Sequence, residues 1–218
     1  MKAHASMIRA PMLLSNVRDL LGPGDDYIGT ARILGAVKES VSALEAFLNE
    51  IEQLGVGYKQ HNHPETHPLV RLASQLAAAE QAKKSITQKV VIAHQTLSGR
   101  TLKKGATPCF QKLVLLVYVR NELTHPKASI VDISSLGHPY STREQKITSG
   151  LRSYGFISGA GRGYDWFSAI ECWSFGIWAY VTVLENIEMV LSNWPHENAI
   201  ESFEELYGVH HRDPSQWT

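Results

Sequence analysis

The residues best suited to chemistry in this sequence are Arg120, Asn121 and His125, within Arg120-Asn121-Glu122-Leu123-Thr124-His125. On a helix, Asn121 and His125 stand one turn apart and share a face. Arg120 lies about 140° from His125 around the axis, by the 3.6-residue period, and its long stem can reach round a helix end. Arginine is a planar, permanently charged fork for phosphate. Histidine as a residue type exchanges protons near neutrality. Together they are the minimum for breaking a ribose phosphodiester without a metal. The imidazole takes the proton of a 2′-hydroxyl or protonates a leaving 5′-oxygen, and the guanidinium stabilises the charge that builds on phosphorus. A plainer use stays open: Arg120 in an ion pair with Glu122 or another carboxylate, His125 satisfying the last carbonyls of its helix.

The element that must carry these residues is readable. Thr107 and Pro108 suit an N-cap and first helical position. The run Leu113-Val114-Leu115-Leu116-Val117-Tyr118-Val119 is apolar on every side, which fits a helix at the centre of a bundle. Pro126 ends it, because the residue before proline is pushed out of the α region. Ahead of it, Val37, Val41, Leu44, Leu48 and Ile51 predict a helix from about residue 26, after Asp25 and Asp26, to Leu54, ended by Gly55 and Gly57. A second helix is expected over about 68–97, behind Pro68. Behind the motif, residues 128–164 are irregular, with one helix from about Thr142 to Arg152 and a possible short strand pair, Val131–Ile133 with Phe156–Ile157. Trp166, Ile170, Trp173, Ile177, Tyr180, Leu184, Ile187, Leu191 and Trp194 then step by 4 and 3, predicting one long helix over about 165–194. A short helix follows over about 198–207. The chain reads as all-α: an N-terminal arm over 1–24 and one domain over 25–218, an up-and-down bundle with an irregular insert before its last long helix.

Composition sets the limits. The 218 residues carry 21 Lys+Arg against 21 Asp+Glu, which argues against a broadly basic nucleic-acid coat but leaves room for a local phosphate site. The apolar content is that of a folded globule. No apolar run reaches the length of a membrane-spanning helix, and Arg9 and Pro11 break the N-terminal apolar stretch that a signal peptide needs. Cys109 and Cys172 are too few for a disulfide framework. A reducing, cytoplasmic setting is expected.

With Asn following Arg at the end of a buried helix, the motif at 120–125 resembles that of the HEPN superfamily: Arg, a polar residue, three more residues, then His. The order of the long helices over roughly 25–194 fits the resemblance. It implies an α-helical bundle acting as a metal-independent endoribonuclease on single-stranded RNA. It also implies a dimer with two Arg–His pairs facing one cleft, a 2′,3′-cyclic phosphate product, and a toxin–antitoxin or phage-defence role with an antitoxin or regulatory protein as partner. On this chain, Arg120 would bind and stabilise the phosphate, Asn121 would orient His125 or the RNA, and His125 would transfer the proton. Other members of the superfamily have lost catalysis and bind RNA or protein. In one toxin group a tyrosine stands two positions after the motif histidine; here that residue is Lys127, which adds a positive charge.

The remaining candidates are weaker. Lys127, Arg152, Tyr154 and Arg162 mix basic and aromatic groups suited to a single RNA strand. Gly159-Ala160-Gly161-Arg162-Gly163 lacks the Lys-Ser/Thr of a phosphate-binding loop. His61, His63, Glu65 and His67 do not follow a zinc spacing and read as a solvated loop; no metal or cofactor is expected. The 166–194 stripe or the motif face would serve a homodimer.

Overall fold

The computed structural model describes residues 9–22, 29–125, 142–158, 166–213 and 217. These residues form an all-α bundle: α1 (Ala10–Leu21), α2 (Thr30–Gln60), α3 (Pro68–Gln81), α4 (Ile86–Ser98), α5 (Pro108–Thr124), α6 (Thr142–Ser153), α7 (Trp166–Ile170), α8 (Trp173–Leu191) and α9 (Glu197–Leu206). Among them there is no strand; Phe156 and Ile157 lie in irregular chain, and Val131–Ile133 fall outside the described residues.

Helix α2 is the spine and packs against α1, α3, α4, α5 and α8. It begins later than expected, at Thr30, and runs past both glycines to Gln60. Gly55 does not end the helix. It lets α3 approach, since a Cβ there would lie 2.2 Å from the carbonyl oxygen of Leu69. Close helix contact, rather than a helix stop, is what this glycine supplies.

Within the segment expected as an arm, Ala10–Leu21 fold as α1, with Ala10, Leu14, Val17 and Leu21 in the core. Pro11 sits in its first turn, where a missing N–H costs nothing. The helix start is capped from a distance: Glu50 of α2 accepts from the backbone N–H of Arg9 (2.6 Å) and Ala10 (2.8 Å). The hydroxyl of Tyr207, just after α9, donates to the other oxygen of the same carboxylate at 2.9 Å. One side chain thus ties α1, α2 and the C-terminal turn. Burial, then the Glu50 charge and this bond, hold the Tyr207 phenol well above its usual range.

Two helices expected to be single are broken. The second stops at Gln81, and Lys83 takes a left-handed turn (φ 51°). Ser85 then caps α4 through a reciprocal pair with Gln88, a sequence signal of a helix start that outweighs the continuous apolar stripe. The long C-terminal helix breaks at Glu171–Cys172. Cys172 is extended as the N-cap of α8, and Thr30 donates to Glu171 at 2.7 Å. Of the stripe, Ile170, Tyr180, Leu184, Ile187, Leu191 and Trp194 are buried within the chain, while Trp166, Trp173 and Ile177, on either side of the break, are half-buried and Phe175, Gly176 and Ala179 are buried in the first turns of α8. Trp178, off that stripe, stacks on Phe175 at 5.2 Å and meets Phe156 edge-on. No helix of the described residues is long and apolar enough to cross a membrane.

Candidate active site

Helix α5 starts with Pro108 at its first position, as expected, but the Thr107 hydroxyl donates to Lys103 O at 2.9 Å instead of capping the helix. Its centre is clasped by the bundle, with Phe110, Leu113, Leu115, Leu116 and Val119 buried. The charged end of the hexapeptide is thereby delivered to the rim of the core.

His125 is the C-cap, at φ −133° and ψ 64°, where the chain leaves the helix. Its backbone N–H donates to Asn121 O at 2.9 Å, and the Thr124 hydroxyl donates to Arg120 O at 2.8 Å. These two carbonyls of the last turn are satisfied without the imidazole. Among the described residues nothing engages the His125 ring, which is exposed. The helix-end use left open by the sequence is therefore not what occupies it.

Arg120 is used differently. Its side chain is 24% exposed and lies 3.5 Å from the Glu45 carboxylate of α2, Nη2 to Oε2. Its Nη1 donates to the Asn121 side-chain oxygen at 3.2 Å. An ion pair does form, with Glu45. The contact is long for a charged hydrogen bond, and the Glu45 side chain is 43% exposed. The structure thus joins Arg120 to Asn121, and leaves Arg120 and His125 at one helix end without direct contact. Arg120 leans toward Glu45 of α2, while His125 stands exposed where the chain leaves the helix.

Glu45 opens onto a groove of about 800 Å³ between α1, α2 and α9. Leu13, Ala46, Leu54, Phe203 and Leu206 supply its apolar wall, and Tyr58, His61 and His63 close one end. There residues 61–66 are exposed, as a solvated loop would be, and their neighbourhood carries a cluster of rings. Tyr58 stacks against His63 (4.7 Å between centroids), His67 (4.9 Å) and His196 (5.7 Å). Nδ1 of His67 accepts from Leu69 N–H at 3.3 Å and caps α3. Burial, then the neighbouring His63 and His196, lowers the pKa of His67. Among the described residues no group of three His, Cys, Asp or Glu is arranged to hold a metal.

Of the RNA candidates, Arg152 and Tyr154 belong to α6 and the turn after it. Tyr154 lines a groove beside α5 and packs on Trp178 at 5.5 Å; Arg152 is exposed outside that lining. Lys127 and Arg162, with the Gly159–Gly163 loop, lie outside the described residues. Sequence reasoning missed Glu45, 75 positions from Arg120, for which no local pattern speaks. It also passed over Tyr118, the one polar-tipped side chain in the apolar run, which is 37% exposed. No family model, no curated protein and no solved structure matches the chain.

Proposed function

We propose that the protein is a HEPN-type, metal-independent endoribonuclease of single-stranded RNA, acting in toxin–antitoxin or phage-defence biology. The observation that carries this reading is the end of α5. A guanidinium oriented by Asn121 and an imidazole released from helix-end duty stand on the last turn of a helix whose body is buried. Arg120 holds the scissile phosphate. His125 moves the proton: it takes it from the 2′-hydroxyl as that oxygen attacks phosphorus, or gives it to the departing 5′-oxygen. The products are a 2′,3′-cyclic phosphate and a 5′-hydroxyl. Arg120 and His125 diverge on one helix, so a homodimer apposing two helix ends supplies the pairing that one chain lacks.

The Glu45 ion pair favours a second reading, a non-catalytic bundle of the same kind that binds RNA or a protein partner, because a carboxylate beside Arg120 competes with phosphate. Incubation of wild type, Arg120→Ala and His125→Ala with labelled RNA in excess EDTA separates the two. Cleavage by wild type alone supports the enzyme; RNA retardation without cleavage supports the binding module.

A further inference from the structure

Helices α5 and α6 enclose a second groove, of about 410 Å³. It is lined by Gln111, Tyr118, Lys146, Ser149, Ser153 and Tyr154. Gly150 and Leu115 pack closely in its lining: a Cβ on Gly150 would stand 2.7 Å from Leu115 Cδ1. Tyr118 is 37% exposed, so its side chain is within reach of a partner, while Tyr154 is braced by Trp178. Gln111 and Tyr118, seven residues apart, fall within about 20° of one line along α5, and the helix ends seven residues further on at its C-cap, His125. That line is about 21 Å long, the reach of about six stacked nucleotides at ~3.4 Å each.

Charge decides what fits. The lining of this groove holds one lysine, three hydroxyl- or amide-bearing side chains, two tyrosines and no carboxylate. The groove beside α2 is lined by Glu45 and Glu50 against Arg9, and in the one over α8 Glu185, Glu188 and Glu204 stand against Lys112 and Arg212, which pair with Glu185 and Glu188. Carboxylates outnumber lysine and arginine in the lining of those two, whereas this one offers Lys146 to an anionic strand with no carboxylate in its lining. Stacking platforms beside a cation are the features that hold a single strand without reading its sequence.

We infer that the α5–α6 groove binds a single RNA strand, with bases stacked on Tyr118 and Tyr154 and a phosphate on Lys146, and leads it along α5 to His125. The inference rests on the ribonuclease reading only for its direction toward His125. The test is fluorescence anisotropy with a labelled hexauridylate in EDTA, on a His125→Ala background so that the probe stays whole. Adding Tyr118→Ala weakens binding roughly tenfold, the loss of one stacked base. Adding Tyr118→Phe, which keeps the ring, restores the affinity of the background. Adding Lys146→Ala weakens binding and lowers the salt dependence by about 0.7 in the log–log slope, one phosphate contact. Equal affinity with and without Tyr118→Ala, or no binding of the probe by the background protein, overturns the groove. Binding that depends on Tyr118 in a protein whose wild type cuts no RNA keeps the groove and sinks the ribonuclease reading. Cleavage with Tyr118-independent binding does the reverse.

Discussion

The Glu45 carboxylate stands 3.5 Å from the Arg120 guanidinium and bridges α2 to the last turn of α5. The pair is partly exposed, so it adds less than about 1 kcal/mol to the fold. Its larger effect is on what else Arg120 can hold. Glu45→Gln keeps the shape and removes the competing charge. RNA binding should tighten several-fold while the melting temperature moves by no more than a few degrees. Anisotropy titrations and thermal melts check this. Unchanged or weaker binding would mean that Glu45 positions the arginine rather than competing for it.

The two glycines near the end of α2 should respond in opposite directions to the same substitution. Gly55→Ala drives a methyl into the Leu69 carbonyl, which is backbone and cannot rotate away, so α3 must shift. A loss of about 3 kcal/mol is expected. At Gly57 a Cβ would meet nothing within 4 Å, and alanine favours the helix by up to about 1 kcal/mol. Chemical denaturation of the two variants measures both signs.

The His67 ring supplies a pH dependence. Its pKa is lowered in the folded protein, so the unfolded chain binds the proton more readily. Stability from this group is complete above the unfolded value of about 6.5 and is lost as pH falls through the lower folded value. The physical event is loss of the Nδ1 acceptor that caps α3. His67→Asn keeps a capping oxygen and cannot titrate. Melting temperatures between pH 7 and pH 5 should fall less steeply for this variant than for wild type. A residual slope remains, because burial also lowers His94 and His211.

What is legible in the sequence follows from which forces are local. The α5 helix, its proline start and the hexapeptide at its end are written in the prolines and the apolar run, and the structure has them there, without the expected Thr107 cap. Helix breaks are less legible. The apolar stripe 166–194 runs unbroken through Cys172 in the sequence, and no glycine or proline marks the break between α7 and α8. The Ser85–Gln88 capping box is present but masked by the stripe 69–97. Gly55 reads as a stop because a helical glycine whose reason is a neighbouring backbone cannot be told from one that ends a helix. Glu50 and Glu45 act on residues more than 39 positions away in the chain, so their roles exist only once the helices are packed.

The most direct measurement is single-turnover cleavage of a labelled single strand in excess EDTA. Wild type is compared with Arg120→Ala and His125→Ala, and the strand with its 2′-deoxy counterpart. Wild type should cut the ribose strand alone and leave a 2′,3′-cyclic phosphate. His125→Ala, folded as judged by circular dichroism, should be slower by about 10²–10⁴-fold, the worth of a positioned proton-transfer group, and Arg120→Ala should be at least as impaired. Cutting of the 2′-deoxy strand, or a His125→Ala rate equal to wild type, would contradict the assignment of Arg120 and His125 as the catalytic pair.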